Sequence, residues 1–529
     1  MSIELQKFIF ESAPSRMALL NYIPQQPRTH RVQVFRNHSF ELVEHTMGAY
    51  LDYAGLGLEF SYSGYDDSFS FLELEPEADL VLIWIDTKRY APGAAATLMA
   101  ERLPQLKLRY LKPILLIPFG EDMEPGLSGV TVFNLSPIEK ELGAKFTDER
   151  AKAVTGTSLS AKAMLAVSRE LGLKVFPSLL RPALKAVIVD LDNTLYSGVL
   201  GEDGAENLVL TEGHRRLQSG LKQLSKQGFF LCAASKNDQR DVDELFDRRP
   251  DFPLRREDFT TIRASWDPKA ESIRQIAAFL NIHVDSMVFV DDNIGELMAV
   301  RMAHPDIKLI LAGEDGGVTA AVLSQFPGLY KGSASADDAK RKEDVQANLQ
   351  RRQLQASLSH EDYVRSLQLC LRFSCDDPAQ ALRISELANK TNQFIFNYRR
   401  YPLPQVEAMI ASPEYRVVTV SLSDKLSDSG LIGVCVGKAE DDHVLIDECF
   451  VSCRALGRGI DDVIILGAIR LIAEHFGCSK VQVLFQSGPR NAPAESFVKE
   501  HLAANLPAPA SFSYTIPENL LTVSVEEHE

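Results

Sequence analysis

The sequence predicts a multidomain α/β chain built on parallel sheets, and three observations carry that expectation. Short apolar runs rich in β-branched residues recur at Val32-Gln33-Val34-Phe35, Leu80 to Ile85, Ile114 to Ile117, Lys185 to Val189, Phe229 to Ala234 and Met287 to Val290. Helical patterns lie between these runs, and strands alternating with helices imply parallel pairing. Three of the runs end in acids or small polar residues: Asp190-Leu191-Asp192, Ser235-Lys236-Asn237 and Asp291-Asp292-Asn293. The carboxyl ends of strands are where an open α/β sheet binds ligands.

The 529 residues suffice for three or four domains. Hydrophobic residues make up 45% and charged residues 24%, as in a globular protein that stays in water. The stretch Met1-Ser2-Ile3-Glu4-Leu5-Gln6-Lys7 lacks a signal-peptide pattern, and no apolar run reaches membrane-spanning length. The seven cysteines have no metal-ligand spacing, and several sit inside apolar runs. Buried free thiols in a cytoplasmic protein are the expectation. A net charge of −16 argues against nucleic acid and anionic membrane surfaces as partners. It does not exclude a small anionic substrate, because local cations decide that.

Residues 1–30 read as a helical lead with a proline-containing linker. Residues 31–160 form a first α/β domain, with the turn Asn37-His38-Ser39 after its first strand and a helical pattern from Phe40 to Ala54. A helix from Leu159 to Leu173 and a linker from Phe176-Pro177 to Arg181-Pro182 lead to a second domain, 183–313. Its first strand ends in Asp190 and Asp192, with Asn193-Thr194 already turning the chain. Two acids that close repel each other unless a cation lies between them, and a hard, oxygen-seeking ion such as Mg²⁺ is the economical answer.

A glycine-rich segment, Ser197 to Gly204, precedes a helix from Glu212 to Gln227. The following strand ends at Ser235-Lys236-Asn237, where a hydroxyl and backbone N–H groups suit a phosphate, or where Ser or Asn simply caps the next helix. Trp266-Asp267-Pro268-Lys269 opens a helix to Leu280. A cation near a helix N-terminus opposes the dipole, so Lys269 reads as the answer to an anion. Asp291 and Asp292 supply a second pair of acids. The segments after Tyr196 and between Ser235 and Lys269 are too short for a cap domain. An open site that admits a bulky or protein-borne substrate is expected, unless a neighbouring domain supplies a lid.

Residues 313–345 read as a Gly/Ser/Ala/Asp-rich linker, and Lys340 to Leu358 as a solvated connecting helix; together they make a helical linker over 314–365. In the last domain, 366–529, a helix reaches the polar cluster Asn389-Lys390-Thr391-Asn392-Gln393. Leu431 to Val436 and Val444 to Phe450 read as adjacent antiparallel strands. Arg454-Ala455-Leu456-Gly457-Arg458-Gly459 precedes a helix from Ile460 to Phe476. Glycines let a backbone close on phosphates, or merely turn it.

Asp190-Leu191-Asp192-Asn193-Thr194, followed in order by Ser235, Lys269 and Asp291-Asp292, resembles the haloacid dehalogenase (HAD) phosphatases without a cap. The resemblance implies Asp190 as nucleophile and Asp192 as general acid/base, with Lys269 in support. It implies substrate or phosphate binding by Thr194, Ser235, Lys236, Asn237 and Lys269. Mg²⁺ would be held by Asp190, the Asp192 carbonyl, Asp291 and Asp292. The first domain is similar to SGNH-hydrolase-like domains, with Ser39 at the nucleophile position but without the Gly-Asp context, so a non-catalytic scaffold is expected. Arg454, Gly457 and Gly459 resemble the pyrophosphate cradle of GNAT acyltransferases. Val498 stands where many of those carry Tyr, so binding of a phosphopantetheine arm is expected rather than acetyl transfer.

The order of the three domains resembles FkbH-type proteins. That resemblance implies an enzyme that turns 1,3-bisphosphoglycerate into a glyceryl thioester on an acyl carrier protein, releasing phosphate, in natural-product or surface-polysaccharide biosynthesis. Cys232 and Cys453 are the candidate acyl thiols; Ala234 stands where many relatives carry a cysteine. The alternatives are a phosphatase for another phosphorylated metabolite and a non-enzymatic carrier-protein docking scaffold.

Overall fold

The structure is a computed structural model. It describes residues 3–528 except 66, 128, 331–343, 346, 349, 352–353, 356, 392, 453–454, 457, 489–490, 506–507 and 510–520. The chain forms two compact units, one of residues 1–278 with 282–334 and one of 335–529 with 279–281. The α/β class predicted from sequence holds in both. No helix among the described residues is long and apolar enough to cross a membrane.

The first unit contains two all-parallel sheets. The strands of the first are β1 (His30–Arg36), β2 (Leu58–Tyr62), β3 (Leu80–Asp86), β4 (Ile114–Phe119) and β5 (Val130–Val132), in the order β2-β1-β3-β4-β5. Every residue of β3 and β4 is buried, which is why both read as unbroken apolar runs: helices cover a parallel sheet on both faces. The pattern from Phe40 to Ala54 is two helices, Glu41–Glu44 and Gly48–Ala54, rather than one.

The second sheet consists of β6 (Ala186–Val189), β7 (Phe230–Ser235), β8 (Thr261–Ala264), β9 (Met287–Asp291) and β10 (Lys308–Leu311). Its order is β10-β9-β6-β7-β8, so β6 is central. Ile188 pairs with Cys232 on β7 and with Phe289 on β9, which sets the ends of the three strands level. Val187, Val189, Leu231, Ala233, Val288 and Val290 pack with Leu217 and Leu221 of the helix Glu212–Lys226. Each valine or leucine of this set contributes about 1.5–3 kcal/mol by its burial.

In this unit the N-terminal lead gains an anchor, and one expectation changes. The N-terminal lead is tied down: Gln6 of the helix Ile3–Phe10 donates to the Leu311 carbonyl (2.8 Å) and accepts from its N–H (3.2 Å). A glutamine that completes the exposed ladder of β10 is indistinguishable in sequence from a solvated one. The stretch read as linker from 313 begins with a helix, Gly317–Ser324, that buries Val322 and Leu323.

The second unit holds a seven-stranded mixed sheet. Its strands are β11 (Cys370–Cys375), β12 (Tyr415–Ser423), β13 (Asp428–Ala439), β14 (Val444–Val451), β15 (Lys480–Val483), β16 (Ala508–Pro509) and β17 (Thr522–Glu527), in the order β16-β15-β14-β13-β12-β11-β17. The predicted pair β13–β14 is antiparallel, whereas β14–β15 and β11–β17 are parallel. The helix Asp461–His475 lies on this sheet through Ile464, Ile465, Ile469 and Ile472. Gly437 permits the approach: a Cβ there would stand 2.3 Å from the Ile472 side chain. The supposedly solvated helix of 340–358 is corrected as well. Among its described residues Asp344, Val345, Ala347 and Arg351 are buried, because its charges find partners inside the unit.

Candidate active site at the end of the central strand

β6 stops at Val189, and the Asp190 N–H is held by the Val290 carbonyl (2.9 Å). The chain then turns through Asn193, which adopts φ +52°, a left-handed conformation that asparagine tolerates better than most residues. The Asn193 side chain accepts from the Gly198 N–H (3.0 Å), and its N–H donates to the Gly198 carbonyl (3.2 Å). This turn, rather than strand alternation, places the two acids.

Asp190, Asp291 and Asp292 each offer a carboxylate oxygen within 4.8 Å of the others. Lys269, only 7% exposed, lies 3.0 Å from Asp190 Oδ1 and 2.6 Å from Asp291 Oδ2. Two buried carboxylates therefore flank one ammonium, with the exposed Asp292 beside them, so negative charge exceeds positive. Burial pushes Asp190 up to about 7; Lys269 opposes the shift and Asp291 adds to it. Asp291 and Asp292 are also held above the usual carboxylate range, chiefly by burial. Burial alone would lower Lys269, but the acids on either side outweigh it and hold its pKa up. An all-oxygen donor set with unneutralised charge fits a hard divalent cation, held by Asp190, Asp291 and Asp292.

Asp192 has a separate environment. Its Oδ1 accepts from Tyr196 Oη (2.8 Å) and the Leu200 N–H (3.0 Å), and its Oδ2 from Asn237 Nδ2 (2.8 Å). Asn237 also donates to Ser235 Oγ (3.0 Å). The carboxylate of Asp192 is thus oriented in part from the loop after β7. Thr194 is buried, and its hydroxyl has no hydrogen-bond partner among the described residues.

The structure accordingly gathers Asp190, Asp192, Ser235, Asn237, Lys269, Asp291 and Asp292 around the ends of β6, β7 and β9. Two expectations change. Lys236 pairs with Glu296 on the helix Ile294–Ala303 instead of joining the acids. Cys232 is fully buried and level with Ile188, two residues below Asp190, so it is sealed inside the sheet rather than presented as an acyl thiol. Sequence reasoning missed Tyr196 and Glu296. Tyr196 follows Asp192 by one helical turn, a spacing that could have suggested the contact; Glu296 carried no local signal.

In the second unit, Cys453, Arg454 and Gly457 lie outside the described residues. Gly459 has φ +72°, as a tight turn before a helix requires. The helix behind it opens with Asp461 and Asp462. Burial and Asp462 push Asp461 up to about 6. These acids oppose an anion at that helix end. Arg458, inside the glycine turn, points inward to Asp344 (2.9 Å) and Asp424 (3.1 Å).

In the first sheet, Ser39 follows β1. Its carbonyl accepts from Trp84 Nε1 (3.2 Å), and its N–H donates to Gly156 (3.4 Å). The neighbouring His38 is buried, stacked on Trp84 and bonded through Nδ1 to Thr157 (3.0 Å). The turn is thus held by packing, with the imidazole stacked on Trp84 and bonded to Thr157.

No family model and no curated protein matches the chain. Among solved structures, it is similar to the N-terminal part of the protein BF1531 from Bacteroides fragilis, containing a phosphatase domain complexed with Mg. That match has 21% identity and a TM-score of 0.45, and covers 63% of this chain and all of that one (100%). A HAD-superfamily hydrolase from Ehrlichia chaffeensis matches 25% of this chain and 90% of its own at 16% identity and a TM-score of 0.20. A ribosomal-protein-alanine N-acetyltransferase from Brucella melitensis biovar Abortus 2308 matches 28% of this chain and 99% of its own at 16% identity, again with a TM-score of 0.20.

Proposed function

We propose that the first unit is a Mg²⁺-dependent HAD-type phosphatase with an open site. The observation that carries this reading is the cluster of three acids at the end of the central strand, two of them paired with one buried lysine. Asp190 attacks phosphorus, and the bond from phosphorus to the leaving oxygen breaks. Asp192, oriented by Tyr196 and Asn237, gives that oxygen a proton. Asp192 then takes a proton from the water that hydrolyses the aspartyl phosphate, so aspartate and inorganic phosphate are restored. Lys269 and Ser235 hold the phosphate oxygens. The bound Mg²⁺ would offset negative charge on nucleophile and phosphate. The test is phosphate release from phosphorylated metabolites with and without Mg²⁺, in wild type and Asp190→Asn. Full activity after exhaustive chelation would sink the reading.

The more specific form of the proposal is the one the FkbH resemblance implies. The substrate is 1,3-bisphosphoglycerate, and the glyceryl group passes to the phosphopantetheine thiol of an acyl carrier protein. The acyl C–O bond breaks as the C–S bond forms, and phosphate leaves with the thiol's proton; the second phosphate is then hydrolysed. The short connections around the site support access by a protein-borne thiol, and the burial of Cys232 supports a thiol supplied by the carrier. In this form Arg454 would have to supply the charge that holds the arm's phosphate in the second unit, against Asp461 and Asp462 at the start of the following helix. Intact mass of a carrier protein after incubation with 1,3-bisphosphoglycerate tests it; an unchanged mass beside active phosphate release leaves a phosphatase for another metabolite. A purely docking scaffold is disfavoured, since three crowded acids destabilise a fold that has no use for them.

A further inference from the structure

We propose that Lys236, masked by Glu296 in the free protein, sets the substrate class of this site, selecting phosphate compounds that carry a second anionic group. The proposal rests on the phosphatase reading of the Asp190 cluster and deepens it. β6 lies between β7 and β9. Lys236 directly follows the last residue of β7, and Glu296 stands in the first turn of the helix after β9. Their ion pair therefore joins the two loops that flank the end of β6, where Asp190 sits.

Both ends of this strap are fixed. The β7 loop is anchored by Asn237 on Asp192 (2.8 Å). The helix after β9 is capped by Asn293, whose Oδ1 accepts from Gly295 (2.8 Å) and Glu296 (3.4 Å). The two lysines of the site differ in access. Lys269 is 7% exposed and held by two acids, whereas Lys236 is 41% exposed and held by Glu296.

A phosphate at Asp190 engages the inner lysine. The outer one remains for whatever the rest of the substrate brings. An ion pair whose lysine is 41% exposed is worth little, so a second phosphate or carboxylate on the substrate can replace Glu296 on Lys236 with a charge-assisted bond of its own. A neutral remainder cannot, and meets the carboxylate still in place. Glu296 thus keeps Lys236 compensated in the free protein and yields it only to an anion.

The test compares a matched pair, 3-phosphoglycerate and glycerol 1-phosphate, which differ in the carboxylate, on the full chain with Mg²⁺. Glu296→Gln should raise the ratio of kcat/KM for 3-phosphoglycerate over glycerol 1-phosphate about fivefold, through KM. Lys236→Met should lower that ratio about tenfold or more, the loss expected for one charge-assisted contact, and Lys236→Arg should restore most of it. Equilibrium dialysis of the same two compounds against wild type and both variants reads the preference without turnover. If the protein binds with this preference but releases no phosphate, the phosphatase reading fails and the selectivity stands. If neither the kinetic nor the binding ratio moves in either variant, the pair is a surface salt bridge and the proposal is overturned.

Discussion

Each unit buries a cluster of acids with basic side chains, and the two clusters are built on opposite arithmetic. In the first unit Asp190 and Asp291 hold the buried Lys269 between them and the exposed Asp292 stands beside them, so acids outnumber the base. In the second, Asp344 and Asp424 meet Arg351 and Arg458, two against two. Arg351 lies 3.0 Å from Asp344 and 2.8 Å from Asp424, and Arg458 lies 2.9 Å and 3.1 Å from the same pair. Ser427 and Ser429 add hydroxyl donors to Asp344 (2.7 and 3.0 Å). The carboxyl pKa values move accordingly. Burial with too few counter-charges raises those of the first cluster, whereas in the second the arginines and serines overcome burial and hold Asp344 down. A balanced cluster is complete and holds Asp344 and Arg351 to Asp424 and Arg458. An unbalanced one is incomplete until a cation or substrate arrives.

The largest expected effect breaks the first cluster. Asp190→Asn should cut phosphate release by about a thousandfold or more while leaving thermal stability unchanged or raised, since it removes one of three crowded charges. Near-wild-type turnover would remove Asp190 as nucleophile and with it the functional side of the contrast.

Breaking the balanced cluster should instead cost stability. Arg458→Met leaves Asp344 and Asp424 short of a partner, and denaturant unfolding of the second unit should weaken by about 3–5 kcal/mol. A loss below about 1 kcal/mol would class the network with ordinary surface pairs.

Adding the missing charge sharpens the comparison. Mg²⁺ at a hundred times its Kd should stabilise the first unit by about 2.7 kcal/mol through mass action, and Asp291→Asn should abolish most of that gain. The effect should depend on pH. The folded pKa of Asp190, about 7, lies above its ordinary value of 3.8. Without the ion, this group's contribution to stability is present below the ordinary value and is lost as pH rises through about 7. Protons compete with the ion over the same range, so the Mg²⁺-induced shift in Tm should be larger at about pH 8 than at about pH 5.5. An equal shift at both would mean that the ion binds elsewhere.

The smallest effect concerns an acid with no cationic partner in its hydrogen-bond set. Glu448 on β14 accepts N–H bonds from Phe396 (2.8 Å), Asn397 (3.0 Å), Arg399 (2.6 Å) and Cys449 (2.9 Å). Glu448→Gln keeps the shape but turns an amide NH₂ toward some of these donors, and should cost about 1–3 kcal/mol in thermal unfolding. No change would show that backbone donors alone do not need the full carboxylate.

Much of the first cluster was legible because its members lie at strand ends or a helix start. Asp190, Ser235 and Asp291 end apolar runs, and Lys269 follows a proline that opens a helix. The second cluster was not legible. Arg351 sits in a charged segment that reads as solvated, and Arg458 was passed over as the middle of a glycine turn. Neither position carries a local pattern that distinguishes an inward guanidinium from an outward one.

The sequence by itself determined where strands form and where they stop. A β-branched apolar run can bury both faces, and an acid at its end cannot follow it inside. It also determined the turn at Asn193 and the tight glycine at Gly459, since few side chains tolerate those conformations. Only the tertiary structure decided who meets whom. Lys269 reaches Asp291 across 22 positions, Lys236 reaches Glu296 across 60, and Arg458 reaches Asp344 across 114. Those pairings depend on the order of strands in each sheet. That order is settled by packing whole layers together, which no window of neighbouring residues contains.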